Sequence, residues 1–168
     1  MPALESSLDA SSEAFENNRA DMQDLLETMN RLLAEAAEGG GLEATARLRS
    51  RNKMPIRERI AHVLDRDSPF LEISPLAAWR SPFAVGSGFV VGIGVIEGVE
   101  CLILGHDPSV RAGAFNQFNS KKLMRGLQIS RENRLPYIQF VESAGADLRG
   151  QGSDEDPEEA IQREIGHF

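Results

Sequence analysis

Hydrophobic residues recur at helical spacing along the first part of the chain, and this pattern predicts one long helix from about Ser12 to Glu38. Three consecutive glycines, residues 39–41, predict its end, because glycine adopts the left-handed closing turn without steric cost. The stripe spans too few heptads for a coiled coil, so we expect it to pack on the body of the protein or on a partner subunit. It consists of Phe15, Met22, Leu25, Leu26, Met29, Leu32, Leu33 and Ala36.

Two shorter segments follow the glycines. Residues 43–53 are basic and are predicted as a short helix or turn. Residues 55–65 are predicted to form a helix with Pro55 at its first position, where a missing amide hydrogen is tolerated. The apolar face of this helix follows an i, i+4, i+7, i+8 pattern and consists of Ile56, Ile60, Val63 and Leu64.

The remaining pattern predicts a β-hairpin, a helix and a strand. Residues 89–96 and 99–104 alternate as strands around a turn at Glu97 and Gly98. A helix over 119–133 then leads to a buried strand over 136–141. The inner face of this helix is expected to hold Leu123, Leu127 and either Ile129 or Ser130.

A last helix is predicted to begin at Asp156, followed by Pro157, and its apolar face runs to Phe168 without a stop signal. We therefore expect this chain to be the front part of a longer protein.

Charge is distributed unevenly along the chain. The net charge is −8, which argues against a nucleic-acid-binding protein. Residues 1–42 carry a net −7 and residues 135–168 a net −6, whereas residues 43–134 carry +5. The basic middle is consistent with a site for an anionic small molecule such as a phosphorylated cofactor. Ion pairing between this middle and the acidic ends explains it equally well.

Targeting signals and disulfide pairing are not indicated. The first residues lack the basic and apolar regions of a secretory signal, and no apolar run approaches the roughly 20 residues of a membrane span. The single cysteine, Cys101, cannot form an internal disulfide. A cytoplasmic location is the expectation.

The usual catalytic side chains are scarce. His62, His106, His167 and Cys101 share no metal-like spacing, so no metal site is expected. Ser143 lacks the G-x-S-x-G context of a nucleophile elbow. The glycines between residues 86 and 94 do not open a helix, which argues against a Rossmann fingerprint.

The segment "ESAGAD", residues 142–147, offers a different chemistry. Small residues after a strand allow a substrate to lie against the main chain, where backbone amides can stabilise a developing negative charge. A tight turn after a strand explains the same residues and, from the residues alone, is favoured.

Three segments in register resemble the N-terminal part of the biotin-dependent acyl-CoA carboxylase β subunits, the carboxyltransferases. They read "RNKMPIRERIAHVLDRDSPFLEISPLAAW", "GIGVIEGVECLILGHDPSVRAG" and "ENRLPYIQFVESAGA". The resemblance runs from about Glu16 to Gly150. The run "GGGLEATARLRSRNKMPIRERI" is most similar to the methylcrotonoyl-CoA and geranyl-CoA carboxylase type, with the propionyl- and acetyl-CoA carboxylases close.

The resemblance implies an α/β, crotonase-like fold in which β-β-α units wind into a superhelix. It implies transfer of a carboxyl group from carboxybiotin to an acyl-CoA, through a thioester enolate held by backbone amides. Biotin would be carried by a biotin carboxylase/carboxyl carrier α subunit, and the β subunit would form a homo-oligomer, a hexamer built from dimers. No metal is expected in this component.

The same resemblance assigns candidate site residues. The oxyanion loop of the family, Asp-Ser-Gly-Gly-Ala, corresponds to Glu142–Ala146 here, which makes the amides of Ala144 and Gly145 the expected donors. The family segment "NDATVKGG" corresponds to Gly105–Gly113 and is expected near CoA. Candidate CoA contacts are Arg47, Arg49, Arg51, Lys53, Arg111 and Gly113.

The sequence divides into an N-terminal helical extension, residues 1–42, and the front part of a carboxyltransferase domain, residues 43–168. Because the family's later glycine-rich segment and second domain are not in this sequence, we expect the chain alone to be inactive. Two alternatives stay open: a non-catalytic assembly or binding module, and a crotonase-superfamily decarboxylase or hydratase that needs no biotinylated partner.

Overall fold

The structure, a computed structural model, describes residues 8–147, in which helices and strands form one mixed arrangement. The predicted final helix from Asp156 lies outside the described residues. The helices are α1 (Glu13–Glu38), α2 (Gly41–Ser50), α3 (Ile56–Val63) and α4 (Gln117–Asn133). The strands are β1 (Leu71–Glu72), β2 (Phe89–Ile96), β3 (Val99–His106) and β4 (Tyr137–Phe140), and a short 3-10 turn covers Arg111–Gly113.

The sheet has the order β1-β2-β3-β4. The predicted hairpin is confirmed, with β2 and the turn as expected and β3 two residues longer, ending at His106. The carboxylate of Asp65 accepts hydrogen bonds from the amides of Glu97 and Gly98, at 2.7 and 2.8 Å, and thereby fixes the turn. Strand β4 runs parallel to β3, with Phe140 opposite Gly105. The segments that follow β3 and β4 therefore emerge at the same edge.

Side chains alternate across the sheet and form one core on each face. The face covered by α3 and the face covered by α4 each hold a buried apolar cluster, because successive residues of β2 and β3 point to opposite sides. The α3 cluster consists of Ile56, Ile60, Val90, Cys101 and Ile103. The α4 cluster consists of Phe89, Val91, Leu102 and Leu104, with Leu123 and Phe115 packed against it.

Helix α4 packs through smaller and more polar residues than the sequence predicts. Its buried positions are Asn119, Lys122, Gly126 and Ser130, whereas Leu123, Leu127 and Ile129 are only partly buried. A Cβ added at Gly126 would lie 2.9 Å from Val91 Cγ1, so glycine permits a close approach to the sheet. The helix begins with a reciprocal capping box between Asn116 and Asn119.

Strand β4 is not the buried strand that the apolar run predicts. Ile138 and Phe140 pack on the α3 cluster, while Tyr137 and Gln139 are exposed. The reason is positional, because β4 pairs only with β3 among the described residues. Only the face of β4 that carries Ile138 and Phe140 is packed against other described residues, so the opposite face stays exposed.

Helix α1 starts where the sequence predicts, because the Ser12 side chain accepts a hydrogen bond from the amide of Phe15. It ends at Gly39, whose φ is +58°. Only Leu32 and Ala36 are buried, and every residue from 16 to 31 is exposed. The expectation that the stripe packs on the body is therefore met only at the last turns of the helix. Its exposed apolar members are Met22, Leu25, Leu26 and Met29.

The glycine junction fastens α1 to the sheet. The amide of Gly40 donates to Ser109 Oγ at 2.9 Å, and a Cβ at Gly40 would lie 2.1 Å from the Ser109 carbonyl oxygen. A Cβ at Gly39 would lie 2.3 Å from Asp107 Oδ2. The junction thus rests directly on the turn after β3.

Pro55 precedes α3 as its N-cap residue, whereas the sequence predicts it at the first helical position.

Candidate active site

Two connecting segments meet at the carboxyl ends of β3 and β4. The first, which we name the β3 turn, covers residues 107–113, and the second, the β4 loop, covers residues 141–147. Because β3 and β4 are parallel neighbours, the two segments leave the sheet side by side. Crevices at the carboxyl ends of strands are frequent ligand sites in α/β folds. This edge is therefore the candidate site.

Backbone hydrogen bonds join the two segments. The amide of Ala144 donates to the carbonyl of Ala112 at 3.0 Å. Beyond the β3 turn, the amide of Phe115 donates to the carbonyl of Gly145, and the amide of Asp147 donates to the carbonyl of Phe115, both at 2.8 Å. The β4 loop is thus held as a short parallel extension beside residues 112–115.

The end of the β3 turn is left-handed. Arg111, Ala112 and Gly113 have φ values of 47°, 53° and 69°. A Cβ at Gly113 would lie 2.0 Å from the carbonyl oxygen of Glu142, which is closer than any real contact. Gly113 therefore lets the β4 loop lie against the β3 turn. Its predicted contact with CoA stays a prediction.

Both expected oxyanion donors already make hydrogen bonds within the chain. The amide of Gly145 donates to Ser143 Oγ at 3.1 Å, and the amide of Ala144 donates to the Ala112 carbonyl. Ser143 is exposed, so rotation of its hydroxyl would free the Gly145 amide for a ligand oxygen. The Ala144 amide becomes free only if the two segments part.

The backbone at Gly145 is one that other residues rarely adopt. Its φ is +102°, and a Cβ built there meets no atom within 4 Å. The glycine is therefore set by backbone conformation and not by crowding within the described residues. No described side chain therefore crowds the Cβ side of this residue, which a substrate lying against the main chain requires.

Glu142 begins the β4 loop and bridges two cations. Its Oε1 lies 2.5 Å from Lys53 Nζ, and its Oε2 accepts from Arg59 Nη2 at 2.8 Å. The Lys53 hydrogen bond lowers the pKa of the Glu142 carboxyl, and Arg59 adds to the effect. The carboxylate is thus charged at neutral pH. It attaches the β4 loop to Lys53, just before α3, and to Arg59, within α3.

The remaining basic candidates separate into two groups. Arg111 lies at the site, where its guanidinium pairs with Asp147 at 2.6 Å and covers the Phe83 ring at 5.1 Å. Arg47 and Arg49 instead pair with Glu43 and Glu58 on α2 and α3. Arg51 is exposed at the end of α2. The structure therefore brings Lys53 and Arg111 to the β4 loop, but not the other arginines of the basic segment.

His106 is buried beneath the β3 turn. Its ring stacks on Phe89 with centroids 4.2 Å apart, and its edge contact with Phe115 is at 5.2 Å. Gln139 Nε2 lies 3.1 Å from His106 Nε2. Burial lowers the pKa of His106, and the backbone of Gly113 offsets part of this effect. The imidazole is therefore neutral at neutral pH and supports the site from below.

A second buried charge lies on the α4 side. Lys122 Nζ donates to the Phe89 carbonyl at 2.7 Å and lies 3.8 Å from Glu72 Oε1, while Arg57 makes two hydrogen bonds to Glu72 at 2.7 and 3.0 Å. Burial lowers the pKa of Lys122 to about 8, with Glu72 opposing the shift. This network fixes the start of β2 and does not reach the β4 loop.

Neither a membrane-spanning helix nor a metal-binding cluster is found within residues 8–147. No helix there is long and apolar enough to cross a membrane. No group of three or more His, Cys, Asp and Glu side chains in that range could hold a metal ion.

A family of known proteins matches most of the chain. The family described as "Carboxyl transferase domain" matches residues 47–156, which include the β3 turn and the β4 loop. The chain belongs to this family. The predicted resemblance to acyl-CoA carboxylase β subunits is therefore confirmed.

Relatives of the chain are named as beta subunits of acyl-CoA carboxylases. The chain is 46% identical over 145 residues to the "Probable biotin-dependent acyl-coenzyme A carboxylase beta2 subunit" of Mycobacterium tuberculosis, covering 86% of this chain and 27% of that protein. It is 40% identical over 148 residues to the mitochondrial methylcrotonoyl-CoA carboxylase beta chain of Arabidopsis thaliana, covering 86% and 25%. The chain thus spans about a quarter of the length of these relatives.

Solved structures confirm the predicted fold. The β subunit of the P. aeruginosa geranyl-CoA carboxylase matches with a TM-score of 0.74 and 34% identity, over 96% of this chain and 30% of that one. A transcarboxylase 12S structure matches with a TM-score of 0.69 over 76% of this chain, at 24% identity. The fold is therefore the crotonase-like carboxyltransferase fold.

Sequence reasoning missed two contributors to the site. Arg59 was not among the predicted site residues, and His106 was considered by itself only as a metal ligand. No spacing rule links Arg59 to Glu142, which lies 83 residues further along. A histidine at the end of an apolar strand was the available signal for His106, since its partners come from three other segments.

Proposed function

We propose that this chain supplies the acyl-CoA half of a carboxyltransferase active site. The reaction transfers a carboxyl group from carboxybiotin to the α- or γ-carbon of an acyl-CoA. Loss of a proton from that carbon gives a thioester enolate, which attacks the carboxyl carbon of carboxybiotin as the bond from that carbon to the biotin nitrogen breaks. The released biotin nitrogen takes up a proton.

The amide of Gly145 is the observation that carries this proposal. It belongs to a loop at the carboxyl ends of the parallel strand pair, no described atom crowds the Cβ position of its residue, and its hydrogen bond within residues 8–147 goes to the exposed Ser143 hydroxyl. A backbone amide aimed at a thioester oxygen stabilises the negative charge of the enolate by roughly 3 kcal/mol. The Ala144 amide is the second donor once the β4 loop moves from Ala112.

Basic residues around the site are proposed to bind the phosphates of CoA. Arg111 is placed beside the β4 loop, and Arg51 and Arg47 are exposed on the basic segment. Three cations of the basic middle pair with carboxylates of the acidic C-terminal part: Lys53 and Arg59 with Glu142, and Arg111 with Asp147. The positive charge of the basic middle is thus divided: part of it pairs with carboxylates of the chain, and part of it is proposed to bind phosphate.

The proposed setting follows from the relatives. Biotin is carried by a biotin carboxylase/carboxyl carrier α subunit, and the β subunits form a homo-oligomer, as in the hexamer named for the transcarboxylase. We propose a cytoplasmic location, no nucleic-acid or membrane partner, and a division into an extension, residues 1–42, and the carboxyltransferase part, residues 43–168.

The test is turnover in the presence and absence of a biotinylated partner. The full-length protein that contains this chain is combined with the α subunit, ATP, labelled bicarbonate and a series of acyl-CoA thioesters, and label fixed into acyl-CoA is counted. Label that depends on the α subunit supports the proposal. Decarboxylation or hydration without that subunit indicates a different crotonase-type enzyme, and no turnover with retained assembly indicates a non-catalytic module.

A further inference from the structure

Glu142 lies between the basic segment and the candidate oxyanion amides. Its two carboxylate oxygens are divided between Lys53, which precedes α3, and Arg59, which lies within α3. The side chain of Glu142 is 21% exposed, while those of Lys53 and Arg59 are 45% and 27% exposed. We name Glu142, Lys53 and Arg59 the Glu142 clamp. The clamp is partly shielded from solvent, and each carboxylate oxygen of Glu142 contacts its own cation.

The clamp acts at one end of a loop whose other end is fixed differently. From Ala144 to Asp147 the β4 loop is held by backbone hydrogen bonds to Ala112 and Phe115. At Glu142 the backbone rests against Gly113, and the side chain is held by charge. Between the two attachments lies Ser143, whose hydroxyl accepts a hydrogen bond from the Gly145 amide. Movement of Glu142 would therefore also move the Gly145 amide, the candidate oxyanion donor.

We propose that Glu142, with Lys53 and Arg59, is a positioning residue that sets the conformation of the β4 loop. In this arrangement the charge of Lys53 orients the loop and is not available to a CoA phosphate. This reassigns Lys53 from ligand contact to positioning. The inference rests on the proposed function only for its catalytic consequence, since the loop conformation itself can be measured without turnover.

Amide hydrogen exchange of the β4 loop in the full chain is the first measurement. Glu142→Gln removes the charge and keeps the size, and Lys53→Met removes one cation. Each variant should speed exchange of the Ala144 and Asp147 amides by about three- to tenfold, the scale of losing one or two partly exposed ion pairs. The double variant should exchange no faster than Glu142→Gln alone, because both changes remove the same contact.

Two further variants complete the set. Lys53→Arg should restore slow exchange, since the cation is kept. Arg66→Met is the matched control, because its side chain is 96% exposed and, among residues 8–147, its ion pair is with the neighbouring Asp67 at 3.9 Å and not with the β4 loop. Melting temperatures of all variants identify any that fail to fold, in which case the remaining single variant decides.

Kinetics of the enzyme assembled with its α subunit is the second measurement. Positioning predicts that Glu142→Gln and Lys53→Met lower kcat about equally and leave KM for acyl-CoA nearly unchanged. If Lys53→Met raises KM while exchange and kcat stay normal, Lys53 binds phosphate and the proposal is overturned. Unchanged exchange in both single variants also overturns it. Absent turnover would contradict the proposed function, while the exchange result would still decide the role of Glu142.

Discussion

The amide of Ala144 donates a hydrogen bond to the carbonyl oxygen of Ala112 at 3.0 Å. This bond joins the two segments that carry the candidate site, and it engages one of the two expected oxyanion donors. A thioester oxygen that binds both amides must therefore displace the Ser143 hydroxyl from Gly145 and the Ala112 carbonyl from Ala144. Substrate binding and movement of the β4 loop are thus expected to be linked.

Gly113→Ala should strongly destabilise the protein. The added Cβ would lie 2.0 Å from the backbone oxygen of Glu142, and φ at this position is +69°. Gly98→Ala is the matched control, since Gly98 has φ +75° with no atom within 4 Å. The control should cost only the left-handed backbone strain, roughly 1–2 kcal/mol. Thermal unfolding should show a clearly larger fall in Tm for Gly113→Ala, and equal falls would contradict this packing.

Local patterns predicted most of the elements. Alternation around Glu97 and Gly98 located the hairpin, and the helical spacing of apolar residues with a closing glycine located α1. These signals lie within a few residues of the feature that they specify. The inner face of α4 was predicted only in part, since Leu123 packs on the α4 cluster and Ser130 is buried, whereas the burial of Asn119, Lys122 and Gly126 was not expected. Lys122 and Asn119 are buried there because carbonyl groups of distant segments satisfy them.

The candidate site was predictable only in part. The β4 loop was recognised from its small residues, and the resemblance supplied the oxyanion role. The contacts that shape the loop join residues far apart in the sequence, as in Arg111 with Asp147 and Lys53 with Glu142. Neither periodicity nor charge counting could pair these residues, because the pairing depends on how parallel strands place their following segments.

Lys122 should give the protein a stability that rises with pH above neutrality. Burial lowers the pKa of Lys122 to about 8 in the folded state, compared with 10.5 as its ordinary value. Between these values the unfolded chain binds the proton more tightly, so the free energy of unfolding increases with pH. From pH 8 to about 9.5, the free energy of unfolding measured with denaturant should therefore increase more for the wild type than for Lys122→Met. Parallel curves for the two proteins would contradict the buried, charged lysine.

Gly40→Ala should loosen the attachment of α1 to the sheet. The new Cβ would lie 2.1 Å from the Ser109 carbonyl oxygen, although the backbone of Gly40, with φ −80°, is acceptable to alanine. Gly41→Ala is the control, because its φ is +81° and no atom lies within 4 Å. We expect small-angle scattering to show a change in α1 orientation for Gly40→Ala only. A change of the same size in Gly41→Ala would mean that backbone strain, not the contact with Ser109, matters.

Substitutions in the β4 loop should separate catalysis from stability. In the enzyme assembled with its α subunit, Gly145→Val should lower kcat by roughly a hundredfold or more, the scale of losing one oxyanion donor. Its φ of +102° forces any side chain to shift the amide, whereas the open space around the Cβ adds no clash. Ala144→Gly should stay active, since the amide is kept and only a methyl group is lost.

Ser143→Ala decides between a backbone-amide site and a plain turn. The hydroxyl of Ser143 accepts from the Gly145 amide, so its removal frees the donor and should cost less activity than Gly145→Val. If the loop is only a turn, Gly145→Val will instead lower Tm and yield, with normal turnover per folded molecule. Kinetics and thermal melts on the same three variants distinguish these outcomes. A Ser143→Ala variant that proved the most damaging of the three would show that the hydroxyl itself reacts, and the backbone-amide mechanism would be wrong.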